Sequence, residues 1–353
     1  MSFSWEKNVR TVEPYVPGEQ PKVKDIIKLN TNENPYPPSD KVIKLIDELD
    51  PDMFRRYPDA RIEELASAIA DYHNVPFEKV FVGVGSDDVL GMAFMTFFNS
   101  DKNVLFPDIT YSFYPVWCEM LRIPYETLPL DDDFRIKKQD YMKENGGIVI
   151  ANPNAPTGIL MEKSELEEII ASNPDSVVIV DEAYIDFAPE GSSCADLIDK
   201  YDNLLVVRTF SKSRSLAGLR IGYALGNAKL ISFMNDVKYS YNSYTMNYPS
   251  IKLGAASLGD NDYFISTIEK IKATRERFTA ELQRLGFKVL PSSTNFVFAS
   301  PSKATAEEIF KATREENIIV RYFKQPRIDN FLRITIGTDE EMDILLDFLR
   351  KNY

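Results

Sequence analysis

The chain has one histidine, two cysteines and no excess of positive charge, and each shortage removes a class of chemistry. With His73 as the single histidine, Ser-His-Asp catalysis and His-rich metal sites are poor explanations. His73 falls in Ala70-Asp-Tyr-His-Asn-Val-Pro76, where a helical pattern ends, and reads as a capping or surface residue. Cys118 and Cys194 lie in apolar or small-residue surroundings without a CxxC spacing. They read as two reduced thiols, so neither a disulfide framework nor a zinc site is expected. Lys and Arg total 41 against 54 Asp and Glu, a net charge of -13 that argues against nucleic acid or an anionic membrane as the main partner. Any anionic ligand must therefore be held by locally placed arginines. No apolar run approaches the ~20 residues needed to span a bilayer, and the start, Met1-Ser-Phe-Ser-Trp-Glu-Lys7, lacks a basic stretch followed by an apolar core. The expectation is a cytoplasmic protein.

At 353 residues and 44% hydrophobic content, the chain is long enough for one large domain and a smaller one. Short β-rich runs at Val80 to Val84, Asn103 to Phe106, Gly147 to Ala151, Val177 to Val180 and Leu204 to Val207 alternate with helical patterns at Asp87 to Phe98 and Glu162 to Ala171. That alternation predicts an α/β domain with a mostly parallel sheet covered by helices. After Pro249 a long helix is predicted over Tyr263 to Leu285, its apolar positions including Ile265, Ile268, Ile271, Phe278 and Leu282. Strand-like runs at Lys288 to Leu290, Asn295 to Ala299, Ile318 to Tyr322 and Phe331 to Ile336 follow, with helices at 304–315 and 339–351. We therefore expect an extended, proline-rich segment over 1–45 packing on the domains, a large domain over 46–250 and a small C-terminal α/β domain over 251–353. Leu130-Asp-Asp-Asp-Phe134 reads as a solvated turn, and the tyrosine-rich run Tyr239 to Tyr248 as a pocket wall or a subunit contact.

The chemistry-bearing residues fall just after predicted strands, where open parallel sheets bind their ligands. Gly85-Ser86-Asp87 follows the first run, Asn152 and Asn154 the third, Asp181 the fourth and Lys212 the fifth. Lys212 stands between Ser211 and Ser213, where a lysine can be held as a nucleophile rather than as a solubilising charge. Asp181 and Tyr184, in Val180-Asp-Glu-Ala-Tyr184, are the carboxylate and phenol that a pyridinium cofactor on that lysine would need.

Asn152-Pro-Asn-Ala-Pro-Thr-Gly158, Val180-Asp-Glu-Ala-Tyr184 and Ser211-Lys-Ser with Gly218-Leu-Arg220 resemble the motifs of fold type I pyridoxal-phosphate aminotransferases, in order and spacing over nearly the whole chain. Within that superfamily, Leu29-Asn-Thr-Asn-Glu-Asn-Pro-Tyr36, Arg56-Tyr-Pro58, Leu216-Ala-Gly-Leu-Arg220 and Leu332-Arg-Ile-Thr-Ile-Gly337 are most similar to the histidinol-phosphate aminotransferase subfamily. The resemblance implies that Lys212 carries pyridoxal 5'-phosphate covalently and moves the substrate proton, and that Asp181 pairs with the pyridine nitrogen. It also implies that Tyr184 bonds the cofactor's phenolic oxygen and that Tyr111 stacks on the ring. For the cofactor phosphate it implies the turn Gly85, Ser86 and Asp87, together with Ser211 and Arg220, and Tyr57 from a neighbouring subunit of a homodimer with shared sites.

Arg333 would clamp the carboxylate of the 2-oxo acid, while Tyr15 and Arg321 would approach the phosphate of a phosphorylated amine and Asn34 line the same pocket. The activity so implied is transamination of L-histidinol phosphate with 2-oxoglutarate, in histidine biosynthesis. An aromatic amino-acid aminotransferase and a phospho-amino-acid decarboxylase are the alternatives on the same scaffold. One departure stands out: the family places an asparagine before Pro-Thr-Gly, bonded to the phenolic oxygen, and this chain has Ala155 there. Either Asn152 or Asn154 takes over that contact, or Tyr184 suffices.

Overall fold

The computed structural model describes residues 4–22 and 25–353. Its strands in chain order begin with β1 (Ile27–Lys28), β2 (Val80–Gly83), β3 (Val104–Pro107), β4 (Tyr125–Leu128), β5 (Gly147–Ala151) and β6 (Val178–Asp181). They continue with β7 (Leu204–Thr209), β8 (Gly222–Gly226), β9 (Lys288–Val289), β10 (Phe296–Ser300), β11 (Ile318–Ile319), β12 (Arg321–Tyr322) and β13 (Leu332–Thr335). A seven-stranded sheet has the order β2-β8-β7-β6-β5-β3-β4. Its pairings are parallel except those of β8, which runs antiparallel to both β2 and β7. The exception follows from the connection: β7 leads into β8 through the lysine loop alone, and a parallel pair needs a crossover long enough to return along the sheet.

Side chains of the sheet alternate between two cores, as the period of a strand requires. Ile148, Ile150, Val178, Val180, Leu204 and Val206 point to one face. Val149, Ala151, Ile179, Leu205 and Val207 point to the other. Strands buried on both faces read as unbroken apolar runs, which is why β5, β6 and β7 were legible within a residue or two. The edge strand β4, with the polar pattern Tyr-Glu-Thr-Leu, and the glycine-bounded β8 carry no such run and were not anticipated.

The C-terminal part forms a four-stranded sheet, β12-β13-β10-β9, entirely antiparallel. Helix Asn261–Arg284 lays Phe264, Ile268, Ile271, Phe278 and Leu282 into its core. Ile265, expected on that stripe, is 49% exposed, because Phe264 takes the inward position one residue earlier. Helix Asp339–Asn352 opens with a reciprocal cap between Thr338 and Glu341 and buries Met342, Leu345, Leu346 and Leu349. Each fully buried aliphatic side chain of this kind contributes roughly 1.5–3 kcal/mol.

The amino-terminal segment crosses both parts of the molecule. Tyr15 stacks on Phe113 with ring centres 4.4 Å apart, Arg321 donates to the Val16 carbonyl at 3.3 Å, and Arg314 pairs with Glu19. Further along, β1 pairs in parallel with β11. His73 closes helix Glu63–His73 as expected and is half-buried: its Nε2 lies 2.9 Å from the Tyr223 hydroxyl, and burial pushes its pKa down to about 3. Cys118 and Cys194 are both buried, and burial raises both thiols.

Candidate active site

The carboxyl ends of β2, β5, β6 and β7 open into a cavity of about 400 Å³ that also reaches the amino-terminal segment and the antiparallel sheet. Asp181 is the last residue of β6 and is 5% exposed. Its carboxylate accepts from the Tyr114 hydroxyl at 2.9 Å and from the Ala183 amide at 3.2 Å. Even so, burial raises its pKa to about 6, the two hydrogen bonds opposing that shift. A buried carboxylate in this condition lacks a counter-charge, and a protonated pyridine nitrogen is a group that supplies one.

Lys212 lies in the loop after β7, with Nζ donating to the Thr31 carbonyl at 3.1 Å and standing 5.8 Å from the centre of the Tyr184 ring. The loop is anchored from both sides. The Ser213 hydroxyl donates to Asp186 at 2.5 Å, and the Asn34 amide donates to the Ser213 carbonyl at 3.1 Å. Beneath it Arg208 is buried with Glu182 at 2.9 Å.

Helix Ser86–Phe97 begins at Gly85 with no side chain capping its first turn, so its leading amide groups face the cavity as an anion cradle. Gly85 has φ +84°, and a Cβ there would stand 2.5 Å from an Arg220 nitrogen. A Cβ on Gly222 would lie 2.3 Å from the backbone of Gly85 and Ser86, so both glycines are required for this close approach. Arg220 pairs with Asp87 at 3.2 Å and reaches the Ser211 hydroxyl at 3.4 Å. Tyr111 donates to Asp87 at 2.7 Å, which fixes its ring in the cavity wall. Burial, then the Asp87 charge, keeps that phenol protonated well above its ordinary range.

Arg333 on β13 and Arg321 on β12 enter from the opposite side. Arg333 donates to the Asn30 carbonyl at 2.9 Å, while its Nε is buried without a partner. Burial lowers its pKa, a desolvated cation that an anionic ligand would satisfy. Tyr15 lines the same wall, its phenol raised by burial.

Of the residues expected from sequence, Tyr15, Ser86, Asp87, Tyr111, Asp181, Tyr184, Ser211, Lys212, Arg220, Arg321 and Arg333 therefore come together. Three do not spend their side chains there. Asn152 closes a ring with Met161, donating to its carbonyl at 3.1 Å and accepting from its amide at 2.8 Å. Asn154 donates to the Ile109 carbonyl and the Thr157 hydroxyl and accepts from Thr110, so both its N–H groups are used in bracing its own loop and tying it to the one after β3. Asn34 holds the lysine loop. In this structure the side chains of these three asparagines bond other protein groups and brace the loops around the cavity. Tyr57 is 82% exposed and packs on Tyr244 at 4.8 Å, away from this chain's own cavity.

Sequence reasoning missed Tyr114, Thr31 and Asn32. Tyr114 follows Tyr111 by one helical turn. Asn32, in the Leu29 to Tyr36 motif, donates to the Tyr184 hydroxyl at 2.8 Å.

A mostly parallel sheet whose strand ends gather a lysine, a buried carboxylate and a glycine-built anion cradle defines an aminotransferase of fold type I. The chain belongs to the aminotransferase class I and II family, whose model matches residues 24–349. A histidinol-phosphate aminotransferase of Lactococcus lactis subsp. cremoris is 52% identical over 349 residues, covering 99% of this chain and 98% of the relative. Histidinol-phosphate aminotransferase 1 of Hydrogenovibrio crunogenus is 53% identical over 341 residues, covering 97% and 95%. Among solved structures, the histidinol-phosphate aminotransferase from Sinorhizobium meliloti in complex with pyridoxal-5'-phosphate superposes with a TM-score of 0.85 at 24% identity, over 92% of this chain and 90% of that one.

Proposed function

We propose that the protein transfers the amino group of L-histidinol phosphate to 2-oxoglutarate, giving imidazole acetol phosphate and L-glutamate, as a step of histidine biosynthesis. That it is a pyridoxal-phosphate-dependent aminotransferase follows from its family and its full-length relatives. The observation that carries the substrate reading is the pairing of Lys212 and Asp181 with two arginines, Arg321 and Arg333, in one cavity. An amine substrate with an anionic end fits between them.

The fit of the cofactor rests on the buried Asp181 carboxylate without a counter-charge, the uncapped helix start at Gly85 and the approach of Gly222 to it. The backbone amides of Ser86 and Asp87, the Ser211 hydroxyl and the Arg220 guanidinium would hold its phosphate, and Tyr111 would cover its ring. Bound there, pyridoxal 5'-phosphate supplies an electron sink for the pair left when the substrate carbon loses its proton. Lys212, as the free amine, would be the base that takes up that proton and gives it back. Asp181 would hold a proton on the ring nitrogen, its burial making such an ion pair stronger than it would be in water. Arg333 binds the carboxylate of 2-oxoglutarate through its planar fork, and Arg321 with Tyr15 receives the phosphate of the amine.

The same reading divides the chain into a segment over 1–45, a large domain over 46–250 and a small domain over 251–353, and places it in the cytoplasm as a homodimer. An exposed aromatic patch supports the dimer: Phe54, Tyr57, Tyr241 and Tyr244 are 59%, 82%, 72% and 50% exposed. Among the described residues, no helix is long and apolar enough to cross a membrane.

The test is an absorbance spectrum of the purified protein titrated with L-histidinol phosphate in the absence of a 2-oxo acid. The visible band of the lysine-bound cofactor should bleach and return on adding 2-oxoglutarate. Bleaching by L-phenylalanine alone would move the substrate to the aromatic amino acids, and release of carbon dioxide would move the reaction to decarboxylation.

A further inference from the structure

Ala155 leaves the cavity without the amide that the resemblance places beside the cofactor's phenolic oxygen, and Asn152 and Asn154 are committed elsewhere. The hydrogen-bond directions around Asn32 identify what serves instead. The backbone N–H of Asn32 donates to the Thr335 hydroxyl oxygen at 3.0 Å. That hydroxyl lies 3.1 Å from the Asn32 side-chain oxygen and donates its own proton to it. An amide with its oxygen fixed on one side has its nitrogen fixed on the other, so Asn32 Nδ2 faces Tyr184 and donates to the phenol at 2.8 Å. The Tyr184 oxygen is thus an acceptor in this bond, and its single proton is left to point into the cavity that Tyr184 lines.

The relay is built to stay in place. Asn32 and Thr335 are 1% and 2% exposed, and the Asn295 amide holds the Asn32 carbonyl at 2.9 Å. Asn32 has φ +57°, in the left-handed region that asparagine tolerates better than most side chains. Thr335 also receives the chain from the other side, its amide donating to the Leu29 carbonyl at 3.0 Å.

We propose that Asn32, oriented by Thr335, is a positioning residue that aims the Tyr184 proton at the phenolic oxygen of the cofactor and so compensates for Ala155. The inference rests on the functional reading above. A donor on that oxygen competes for the proton shared between it and the Lys212 nitrogen, so losing the donor holds that proton to higher pH. The charged groups facing the same space are Asp181, Asp87, Glu33, Lys212, Arg220, Arg321 and Arg333, with the phenols Tyr15 and Tyr111. All are retained in the variants that follow, so their contribution is common to each comparison.

The experiment is a pH titration of the cofactor's visible absorbance in the holoenzyme and in Asn32→Ala, Thr335→Val, Tyr184→Phe and the Asn32→Ala/Tyr184→Phe double variant. The midpoint should rise by roughly half to one pH unit in Asn32→Ala and in Thr335→Val, in the direction of Tyr184→Phe. In the Tyr184→Phe background, Asn32→Ala should add no shift. Thr335→Val trims one buried hydroxyl, so it provides the reading if Asn32→Ala does not fold. An unchanged midpoint in the folded variants, or an equal shift with and without the Tyr184 hydroxyl, would overturn the inference while leaving the functional reading intact. A wild-type protein that takes up no pyridoxal phosphate would overturn both.

Discussion

The buried carboxylate of Asp181 makes a prediction that separates its cost from its use. Its pKa is raised from 3.8 to about 6, chiefly by burial. A raised carboxylate pKa in the folded state means that ionisation opposes folding. The penalty is absent below pH 3.8, grows between there and pH 6, and is fully present above. At 1.36 kcal/mol per pKa unit, it amounts to about 3 kcal/mol in the cofactor-free protein. Asp181→Asn removes the charge and keeps the shape: its oxygen can accept from Ala183 and its nitrogen donate to Tyr114, whose hydroxyl can turn. Thermal melts of the two apoproteins from pH 4 to 8 should therefore coincide near pH 4 and diverge as pH rises. Above pH 6 the variant should be the more stable, by several °C. Adding pyridoxal phosphate should reverse the order, because the ring nitrogen restores the missing counter-charge only for the carboxylate, and turnover of the variant should fall by about 1,000-fold or more. Parallel melting curves across this range would refute the argument, since they would show that Asp181 is not paying for its burial.

Lys212→Ala should retain pyridoxal phosphate through Arg220 and the Gly85 cradle, seen as cofactor surviving gel filtration, yet show no transamination above background. Gly222→Ala places a carbon 2.3 Å from the backbone of Gly85 and Ser86, so cofactor affinity measured by fluorescence titration should drop at least about tenfold. Arg333→Lys keeps the charge but not the fork, and KM for 2-oxoglutarate should rise by about 10-fold or more. Sedimentation velocity should give a dimer, and Tyr57→Ala should weaken cofactor retention although Tyr57 touches no part of its own chain's cavity.

The strands that set out the site were legible because they are buried on both faces, and their carboxyl ends could be read as the positions of Asp181 and Lys212. Asn32 and Tyr114 were not legible, since their roles come from contacts far apart in the chain: Asn32 meets Thr335 across most of its length. For a related reason the protein partners of the Asn34, Asn152 and Asn154 side chains were not legible. Asparagine in a turn is as suited to satisfying loop amides as to meeting a ligand, and only the direction of each side chain distinguishes the two. Ile265 illustrates the same limit in a helix, where a one-residue offset exchanges the inward and outward positions.

The net charge of -13 makes the cavity's arginines the decisive feature for an anionic substrate. Arg220 is neutralised by Asp87 at 3.2 Å and Lys28 by Glu33 at 2.6 Å. Among the described residues, Arg321 and Arg333 have no carboxylate within ion-pair distance, being held by the Val16 and Asn30 carbonyls and lying 5.4 and 5.6 Å from the Phe323 ring centre. Carbonyl oxygens and an aromatic face position a guanidinium without cancelling its charge. These two cations therefore keep their capacity for an anion in a protein whose overall field repels one. Discrimination must then arise over a few ångströms at the site, not during long-range approach, because the surface charge is screened within about 10 Å at ordinary salt. Under the proposed function, two uncancelled arginines in one cavity would suit a phosphate-bearing amine and a 2-oxo acid that take turns there.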